Sequence, residues 1–222
     1  MIKSLWVRIK MAYKKSVQTK QKIKNSAIGL FIENGYDSTT VRQIAEKAGM
    51  GNSGAIYYHY PSKEEIMRDI FEEVHQKILS HYDEIVDMRE NPLLSCCVCM
   101  KALFRTMFLN DNLKNIFSII LKSEWYDSIV MERNMYFYDA WSAKYGVKVD
   151  SDNLKLFVYS TRGVETKLIL EKIKGNLQIP DNMIFDYIIR SFPLMIGISQ
   201  KTVDSVLGQA DLVLNDIWLL EI

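Results

Sequence analysis

The sequence predicts an all-α protein with a three-helix head and a larger antiparallel helical bundle, about nine to ten helices in all. Apolar residues recur at helical period along most of the 222 residues, and no segment shows the sustained alternation of a half-buried strand. Only 4 prolines and 10 glycines interrupt the chain. With 48% hydrophobic residues, the chain can bury a sizeable core in one small and one larger domain.

The first predicted helix runs from about Thr19 to Asn34 and follows a basic arm, residues 1–18. Its buried face carries Ile23, Ala27, Leu30 and Phe31. Gly35 is placed to cap its C-terminus. Charges interrupt every short apolar run of residues 1–10, which argues against a signal peptide or a membrane span. Met11 is a second candidate start, so two beginnings of the natural chain stay open.

Two short helices joined by a glycine turn follow, in the segment TTVRQIAEKAGMGNSGAIYYHYPSK from Thr39 to Lys63. The first has an apolar stripe at i, i+3, i+4 and i+7, formed by Val41, Ile44, Ala45 and Ala48. Thr40 and Gln43 have the spacing of a capping box, and Gly49 sits where the chain needs a left-handed residue. This pattern predicts a helix-turn-helix, which places its second helix in the major groove of DNA.

The second helix of the motif exposes small and polar side chains. A turn of about 100° per residue puts Ile56 and Tyr60 on one side, toward the core. The opposite side and the flanks carry Gly54, Ala55, Tyr57, Tyr58 and His59. Hydroxyl and imidazole groups around small residues suit contacts to phosphates and base edges. The alternative, three aromatics buried in a small core, fits less well because so short a helix cannot bury every face.

Charge distribution favours the same interpretation. Residues 1–63, which include the predicted DNA-binding domain 19–63, contain eleven Lys or Arg against three Asp or Glu. This segment therefore carries +8 and the remainder −7, although the whole chain has a net charge of only +1. A basic segment beside a helix-turn-helix favours binding to double-stranded DNA through counterion release. After Pro61, Ser62 and Glu65 predict a second capping box, and Lys63 beside it is better placed for a phosphate than for the helix dipole.

The remainder, residues 64–222, is predicted to bind a ligand and to dimerise. Its first part is a linking helix over 64–88, a rod of roughly 40 Å at 1.5 Å per residue. Further helices are predicted at 93–109, 112–123, 126–145, 151–174, 181–197 and 200–219. Pro193 should kink or end the fifth of these. The last has an apolar stripe formed by Val203, Val206, Leu207, Ala210, Val213, Leu214 and Ile217.

Met and aromatic residues are concentrated between Met100 and Trp141 and suggest a pocket for an apolar or aromatic small molecule. Polar residues that interrupt an apolar helix add a second group of candidates, because a buried charge needs a partner. The candidate ligand-binding residues are Phe104, Phe108, Trp125, Met135, Tyr138, Trp141, Arg162 and Glu165. The same residues at helical spacing also suit an ordinary core, and both interpretations stay open.

No cofactor, metal site or catalytic centre is predicted. Cys96, Cys97 and Cys99 lack the spacing of zinc ligands and no histidine is near them, so buried small side chains are preferred over a sensor thiol. Nucleophile elbow, phosphate loop and dinucleotide fingerprint are all missing from the sequence, which argues against an enzyme. The cysteine usage makes the cytoplasm the default compartment, with no membrane partner.

The run from Ile23 to Ile70 resembles the tetracycline-repressor (TetR) family of bacterial transcriptional regulators, through AIGLFIENGYDSTTVRQIAEKAG and AIYYHYPSKEEI. Between these segments the turn MGNSG is one residue longer than is usual in the family. A weaker likeness of LKLFVYSTRGV and FDYIIRSF to its last two helices implies a homodimer through helices near 151–174 and 181–197.

The resemblance implies a repressor that binds a palindromic operator and responds to a small-molecule effector. By position, the phosphate contacts would come from Thr40, Tyr57, Tyr58, His59 and Lys63, and the base contacts from Arg42, Asn52, Ser53, Gly54 and Ala55. Arg42 also stands at the exposed start of the first helix of the motif, and its guanidinium suits guanine. The alternative is a helical carrier of small molecules or lipids without DNA function, which would leave the basic head unexplained.

Overall fold

The structure is a computed structural model that describes the backbone of residues 2–215 and the side chains of residues 16–215 other than Asp83. The described chain is all-α and contains ten helices, as predicted. They are α1 (Ile2–Asn34), α2 (Val41–Lys47), α3 (Gly54–Tyr57), α4 (Lys63–Asp83), α5 (Pro92–Met107), α6 (Asp111–Ile120), α7 (Glu124–Tyr145), α8 (Ser151–Ile173), α9 (Asp181–Met195) and α10 (Gln200–Asn215). The chain divides into two compact units, and the boundary falls between Glu73 and Val74, within α4.

In the N-terminal unit, helix α1 begins at Ile2, well before the predicted start at Thr19. No proline or glycine occurs before Gly29, so nothing in the sequence breaks the helix between the arm and the predicted segment. The core of the unit includes the predicted apolar residues Ile23, Ala27, Phe31, Ile44, Ala45, Ile56 and Tyr60, and α4 adds Ile66 and Phe71.

Both ends of α2 form as the sequence predicts. Thr40 Oγ1 accepts from the Gln43 amide at 3.2 Å, and the Gln43 side-chain oxygen accepts from the Thr40 amide at 2.8 Å, which completes the capping box. At the other end Gly49 has φ +70°, and the Met50 amide donates to the Ala45 carbonyl at 2.8 Å. This is a Schellman end, which needs a left-handed residue at the position of Gly49.

The prediction that α4 continues to Met88 is wrong, because the helix ends at Asp83. Val86 folds back into the core, and its amide donates to the Tyr82 carbonyl at 2.8 Å. The Asp87 side chain then accepts from the Arg89 amide at 2.8 Å. Such a side-chain bond offers the backbone an alternative to the helix, which apolar periodicity alone does not register.

In the C-terminal unit, α5 is the central helix and packs against α6, α7, α9 and α10. Nearly all its residues are buried. Among the described helices none is long and apolar enough to cross a membrane alone, although α5 and α6 pass that test together as a sharply bent pair. Helix α9 continues through Pro193 and ends two residues later, at Met195. The last predicted helix is seen to Asn215, and Ile217 lies outside the described residues.

A buried charge cluster joins three helices of this unit. The Lys101 ammonium of α5 lies 2.7 Å from Asp186 of α9 and 2.7 Å from Asp211 of α10, and Arg105 reaches Asp211 at 2.9 Å. The Lys101 side chain is only 3% exposed. A charge so deeply buried requires partners of opposite sign, and here they fix the packing of α9 and α10 on α5.

Candidate functional sites

The helix-turn-helix of the N-terminal unit holds its second helix by one buried residue. Ile56 is fully buried, and Tyr60 packs beside it just beyond the helix. The segment before α3 is capped by Asn52, whose side-chain oxygen accepts from the Ala55 amide at 3.1 Å. A methyl group at Gly54 would lie 3.0 Å from that oxygen, so a small residue keeps the cap in place. Within the MGNSG turn, Asn52 therefore satisfies one backbone amide at the start of α3.

The opposite side of α3 faces solvent, as predicted. Tyr58 is 86% exposed and Tyr57 is 54% exposed, although both are large aromatic residues. The Tyr58 and His59 rings meet edge to face, with their centroids 5.1 Å apart. Gly54 and Asn52 are exposed, and Ser53, Ala55 and His59 are half-buried. Packing within the head does not explain why large aromatic residues occupy these exposed positions. The side chains therefore form a surface available to a partner.

Arg42 and Thr40 stand beside this surface at the start of α2. Both are exposed, and the Arg42 Nε atom donates to Glu46 at 2.9 Å within the same helix. Such an exposed pair at i, i+4 is weak, and the guanidinium can leave it at little cost. The Thr40 hydroxyl is already occupied, because it also donates to the Gln43 side-chain oxygen at 2.9 Å.

Lys63 has a role that the sequence did not indicate. Its ammonium donates to the main-chain carbonyls of Tyr36 at 2.8 Å and Thr39 at 2.9 Å, and it lies 4.1 Å from the centre of the Tyr36 ring. Burial lowers the pKa of Lys63, partly opposed by the charge of Asp37. Lys63 therefore ties the start of α4 to the loop between α1 and α2. One of its three N–H groups stays available for a phosphate.

A second network in the head surrounds Lys24, which is buried on α1. Its ammonium lies 2.6 Å from Glu73 and 3.2 Å from Asp69, and Tyr60 donates to Asp69 at 2.5 Å. Burial lowers the pKa of Lys24, but its bonds to Glu73 and Asp69 outweigh this and raise it above its usual value. The network connects the end of the recognition segment to α1 and α4.

The C-terminal unit contains a small cavity that is partly open to solvent. Its lining comes from α5, α7, α8 and α9, namely Cys96, Met100, Arg133, Asn134, Trp141, Thr161, Glu165, Ile188, Ile189, Phe192 and Pro193. Glu165 is 1% exposed, accepts from the Tyr126 hydroxyl at 2.8 Å and lies 3.5 Å from the Arg133 guanidinium. Burial lowers the pKa of Arg133, but Glu165 together with Tyr126 and Cys96 outweighs this and raises it above its usual value.

Two of the eight candidate ligand residues, Trp141 and Glu165, line this cavity. The other six have other surroundings. Phe104 and Phe108 both pack on the Phe185 ring, and Met135 is exposed. The Tyr138 hydroxyl donates to the Val149 carbonyl, the Trp125 and Tyr126 rings meet edge to face, and Arg162 pairs with Asp127 and with the Leu121 carbonyl.

Arg133, Asn134 and Thr161 of the cavity wall are not among the residues predicted from the sequence. Each is a polar residue in an otherwise apolar stretch of α7 or α8, which is the feature that identified Glu165. Arg133 and Asn134 stand next to each other in the chain, which made them resemble an ordinary solvated pair.

The three cysteines are buried and reduced. Burial raises the pKa of Cys97 to about 12 and that of Cys96 well above its usual value. Reactive thiols need a lowered pKa and exposure, so these side chains have the properties of core residues. The described residues contain no group of three or more His, Cys, Asp or Glu that could hold a metal ion.

Comparison with known proteins agrees with this geometry. Residues 23–70 match the family model described as bacterial regulatory proteins, tetR family. The transcriptional repressor KstR2 of Mycobacterium tuberculosis is 40% identical over 67 residues, which are 30% of this chain and 33% of that protein. The biofilm operon regulator IcaR of Staphylococcus epidermidis, a negative transcriptional regulator, is 47% identical over 49 residues, 22% of this chain and 26% of its own. The matches thus span about a third or less of these curated relatives.

Similarity of fold extends over most of the chain. The crystal structure of RolR in complex with resorcinol has a TM-score of 0.65 at 16% identity, and covers 89% of this chain and 96% of RolR. The fold and the exposed recognition surface define a helix-turn-helix protein with a separate helical C-terminal unit. The sequence match to the tetR family of bacterial regulatory proteins covers residues 23–70, which contain the helix-turn-helix.

Proposed function

We propose that the protein is a ligand-responsive transcriptional repressor, located in the cytoplasm, that binds a palindromic operator as a homodimer. The exposed face of α3 carries this proposal. Two tyrosines that burial would normally stabilise lie in solvent, Tyr57 at the end of α3 and Tyr58 directly after it, and the only buried residue of this helix is Ile56. The family match and the repressor relatives support the same function.

On DNA, the exposed face of α3 would lie in the major groove. Tyr57, Tyr58 and His59 would donate to phosphates, with Thr40 and the remaining N–H of Lys63 beside them. Arg42 would leave Glu46 for a guanine, and residues 52–55 are small or carry amide and hydroxyl groups that suit base edges. The +8 charge of residues 1–63 would add the sequence-independent part of the affinity.

A second copy of the chain would cover an apolar face of α8 and α9. Leu156 and Tyr159 of α8 and Met183 and Tyr187 of α9 are each about 60% exposed. On each helix the exposed positions lie three or four residues apart and so share one side, and α8 packs against α9. Two antiparallel helices with one apolar side make half of a four-helix bundle, and a two-fold axis completes it.

The cavity of the C-terminal unit is the candidate effector site. A protein of the same fold, RolR, has been solved with resorcinol. Because α4 begins in one unit and ends in the other, a ligand that shifts α4 would change the separation of the two heads. Heads that no longer match successive major grooves would lose joint binding, and the operator would be released.

The test is selection of genomic DNA fragments retained by the purified protein, repeated with Arg42→Ala and Tyr58→Ala. Tyr136→Ala is the matched control, because Tyr136 is 62% exposed but belongs to α7. We expect one palindromic site, lost in both head variants and kept by the control. Failure of the folded protein to enrich any sequence at low salt would overturn the proposal and favour a small-molecule carrier.

A further inference from the structure

The polar groups of the cavity wall narrow the class of effector. The Trp141 side chain is 1% exposed and lines the cavity, and its indole N–H has no acceptor within hydrogen-bond distance. An indole N–H is a donor only, and a buried donor without an acceptor costs free energy. A ligand in this cavity would therefore gain affinity by presenting an acceptor to Trp141.

The carboxylate of Glu165 offers the complementary partner. One of its oxygens accepts from Tyr126, and the other faces Arg133 at the long distance of 3.5 Å. A carboxylate has about four acceptor sites, so it can take a further donor from a ligand. The amide of Asn134, 7% exposed and on the same wall, can donate or accept. A hydroxyl group both accepts and donates, and so fits this set of partners.

The charges on the wall cancel. Arg133 and Glu165 balance each other, and the Cys96 thiol is uncharged because burial raises its pKa. His75, which is close enough to feel the Arg133 charge, is neutral near pH 7, since burial and that charge lower its pKa to about 4. A charged ligand would lose its hydration without meeting an opposite charge that is free, and this excludes anions and cations.

Size and walls complete the description. The remaining surface is apolar and is built mainly from Met100, Trp141, Ile188, Ile189 and Phe192. The enclosed space is small, so it admits at most part of a single ring, with the remainder in the opening to solvent, and it does not suit a long acyl chain. We propose that the effector is a compact neutral ring compound with a hydroxyl group, a phenol or a related cyclic alcohol. This ligand class rests on the proposed function.

The experiment uses four single-ring probes, namely phenol, toluene, benzoate and benzylamine, of which phenol and toluene are matched in size. Binding to the full chain is measured by isothermal titration calorimetry at pH 7. Phenol is uncharged there, as the usual pKa of tyrosine near 10 indicates. We expect phenol to bind about tenfold more tightly than toluene, because one or two hydrogen bonds are added. Benzoate and benzylamine should show no saturable binding.

Two variants test the residue assignment. Trp141→Phe should weaken phenol about tenfold more than it weakens toluene, since the lost N–H affects phenol alone and the smaller ring affects both probes. Trp125→Phe is the matched control, because it removes an indole N–H that does not line the cavity, and should change neither affinity. If Trp141→Phe does not fold, the ligand class is tested by the affinities of the four probes for the unchanged protein and for Asn134→Leu.

Equal affinity for phenol and toluene, tighter binding of benzoate, or no saturable binding of any probe would overturn the ligand class. So would a Trp141→Phe variant that weakens toluene as much as phenol. Operator retention by the ligand-free protein is measured separately. DNA binding without phenol binding defeats only the ligand class, and phenol binding without DNA binding defeats the proposed function.

Discussion

Lys63 directs its ammonium at the main chain of its own head. Its position after Pro61 suggested a phosphate contact, whereas its bonds to the Tyr36 and Thr39 carbonyls close the loop between α1 and α2. Thr39 is itself buried, and its hydroxyl donates to the Gly35 carbonyl at 2.8 Å. The loop that precedes the recognition motif thus depends on two polar side chains.

Replacing Lys63 by methionine should therefore lower the stability of the protein. The change removes two charge-assisted hydrogen bonds, and we expect a loss of about 1–3 kcal/mol in the free energy of unfolding. Lys47→Met is the control, because Lys47 makes an exposed pair with Glu33 at 2.9 Å and should matter by less than about 1 kcal/mol. Urea unfolding followed by circular dichroism measures both. An unchanged midpoint for Lys63→Met would show that the clamp contributes nothing.

The cysteines give a second prediction for single residues. The native protein should react slowly with a thiol reagent at pH 8, and all three thiols should react quickly in urea, because burial raises the pKa of Cys97 to about 12. A pKa raised by folding also means that stability present below pH 9 declines as the pH rises toward 12. Rapid labelling of the native protein, or loss of operator binding on mild oxidation, would instead indicate a sensor thiol.

Among the helices, the end of α2 is fixed by backbone conformation at one position. Gly49 has φ +70°, and a methyl group placed there would meet no atom within 4 Å. The restriction is therefore conformational and not steric crowding. Gly51, two residues later in the same turn, has an ordinary φ and equally open surroundings.

This pair of glycines allows a matched test of the turn. Gly49→Ala should lower the free energy of unfolding by about 1–2 kcal/mol, the cost of a left-handed conformation for alanine. Gly51→Ala should be neutral or slightly stabilising, because it restricts only the unfolded chain. Thermal unfolding of the two variants side by side makes the comparison. Equal effects would contradict the assignment of Gly49 as the C-terminal cap of α2.

Pattern and structure agree best for helices of ordinary length, and the exceptions have physical causes. Caps, glycine ends and the buried side of α2 depend on residues three to five apart, so the sequence contains them. The end of α4 at Asp83 depends on Val86 reaching the core and on the Asp87 turn, which lie beyond the helical period. An amphipathic stripe predicts the start of α1 at Thr19. The helix begins earlier because no residue upstream of Thr19 breaks it.

At the scale of the whole molecule, α8 and α9 of the C-terminal unit expose large apolar side chains that the fold of a single chain does not bury. Tyr159 lies on α8 and Tyr187 on α9, and each side chain is about 60% exposed. In a two-fold symmetric dimer, a substitution to a charged residue appears once in each subunit. Both charges would then be buried beside apolar groups that cannot neutralise them.

Tyr159→Glu and Tyr187→Glu should therefore convert the dimer to a monomer at micromolar concentration, with a dissociation constant raised at least a hundredfold. Sedimentation velocity distinguishes the 25.8 kDa chain from its dimer. Tyr136→Glu is the control, because Tyr136 is just as exposed but lies on α7. A dimer that survives both substitutions would place the interface elsewhere.

The sequence by itself determined the all-α class, the helix-turn-helix with its capping box and glycine turn, and the surface that Tyr58 leaves in solvent. These features arise from neighbours along one or two helical turns, where the helix period fixes which side chains lie together. Only the tertiary structure decided that Lys63 binds the main chain, that Lys101 meets Asp186 and Asp211, and that Trp141 and Glu165 but not Phe104 line the cavity. The physical reason is that these groups lie far apart in the chain and come together only when the helices pack. The apolar stripe of a helix shows which face is buried, but not which helix packs against it.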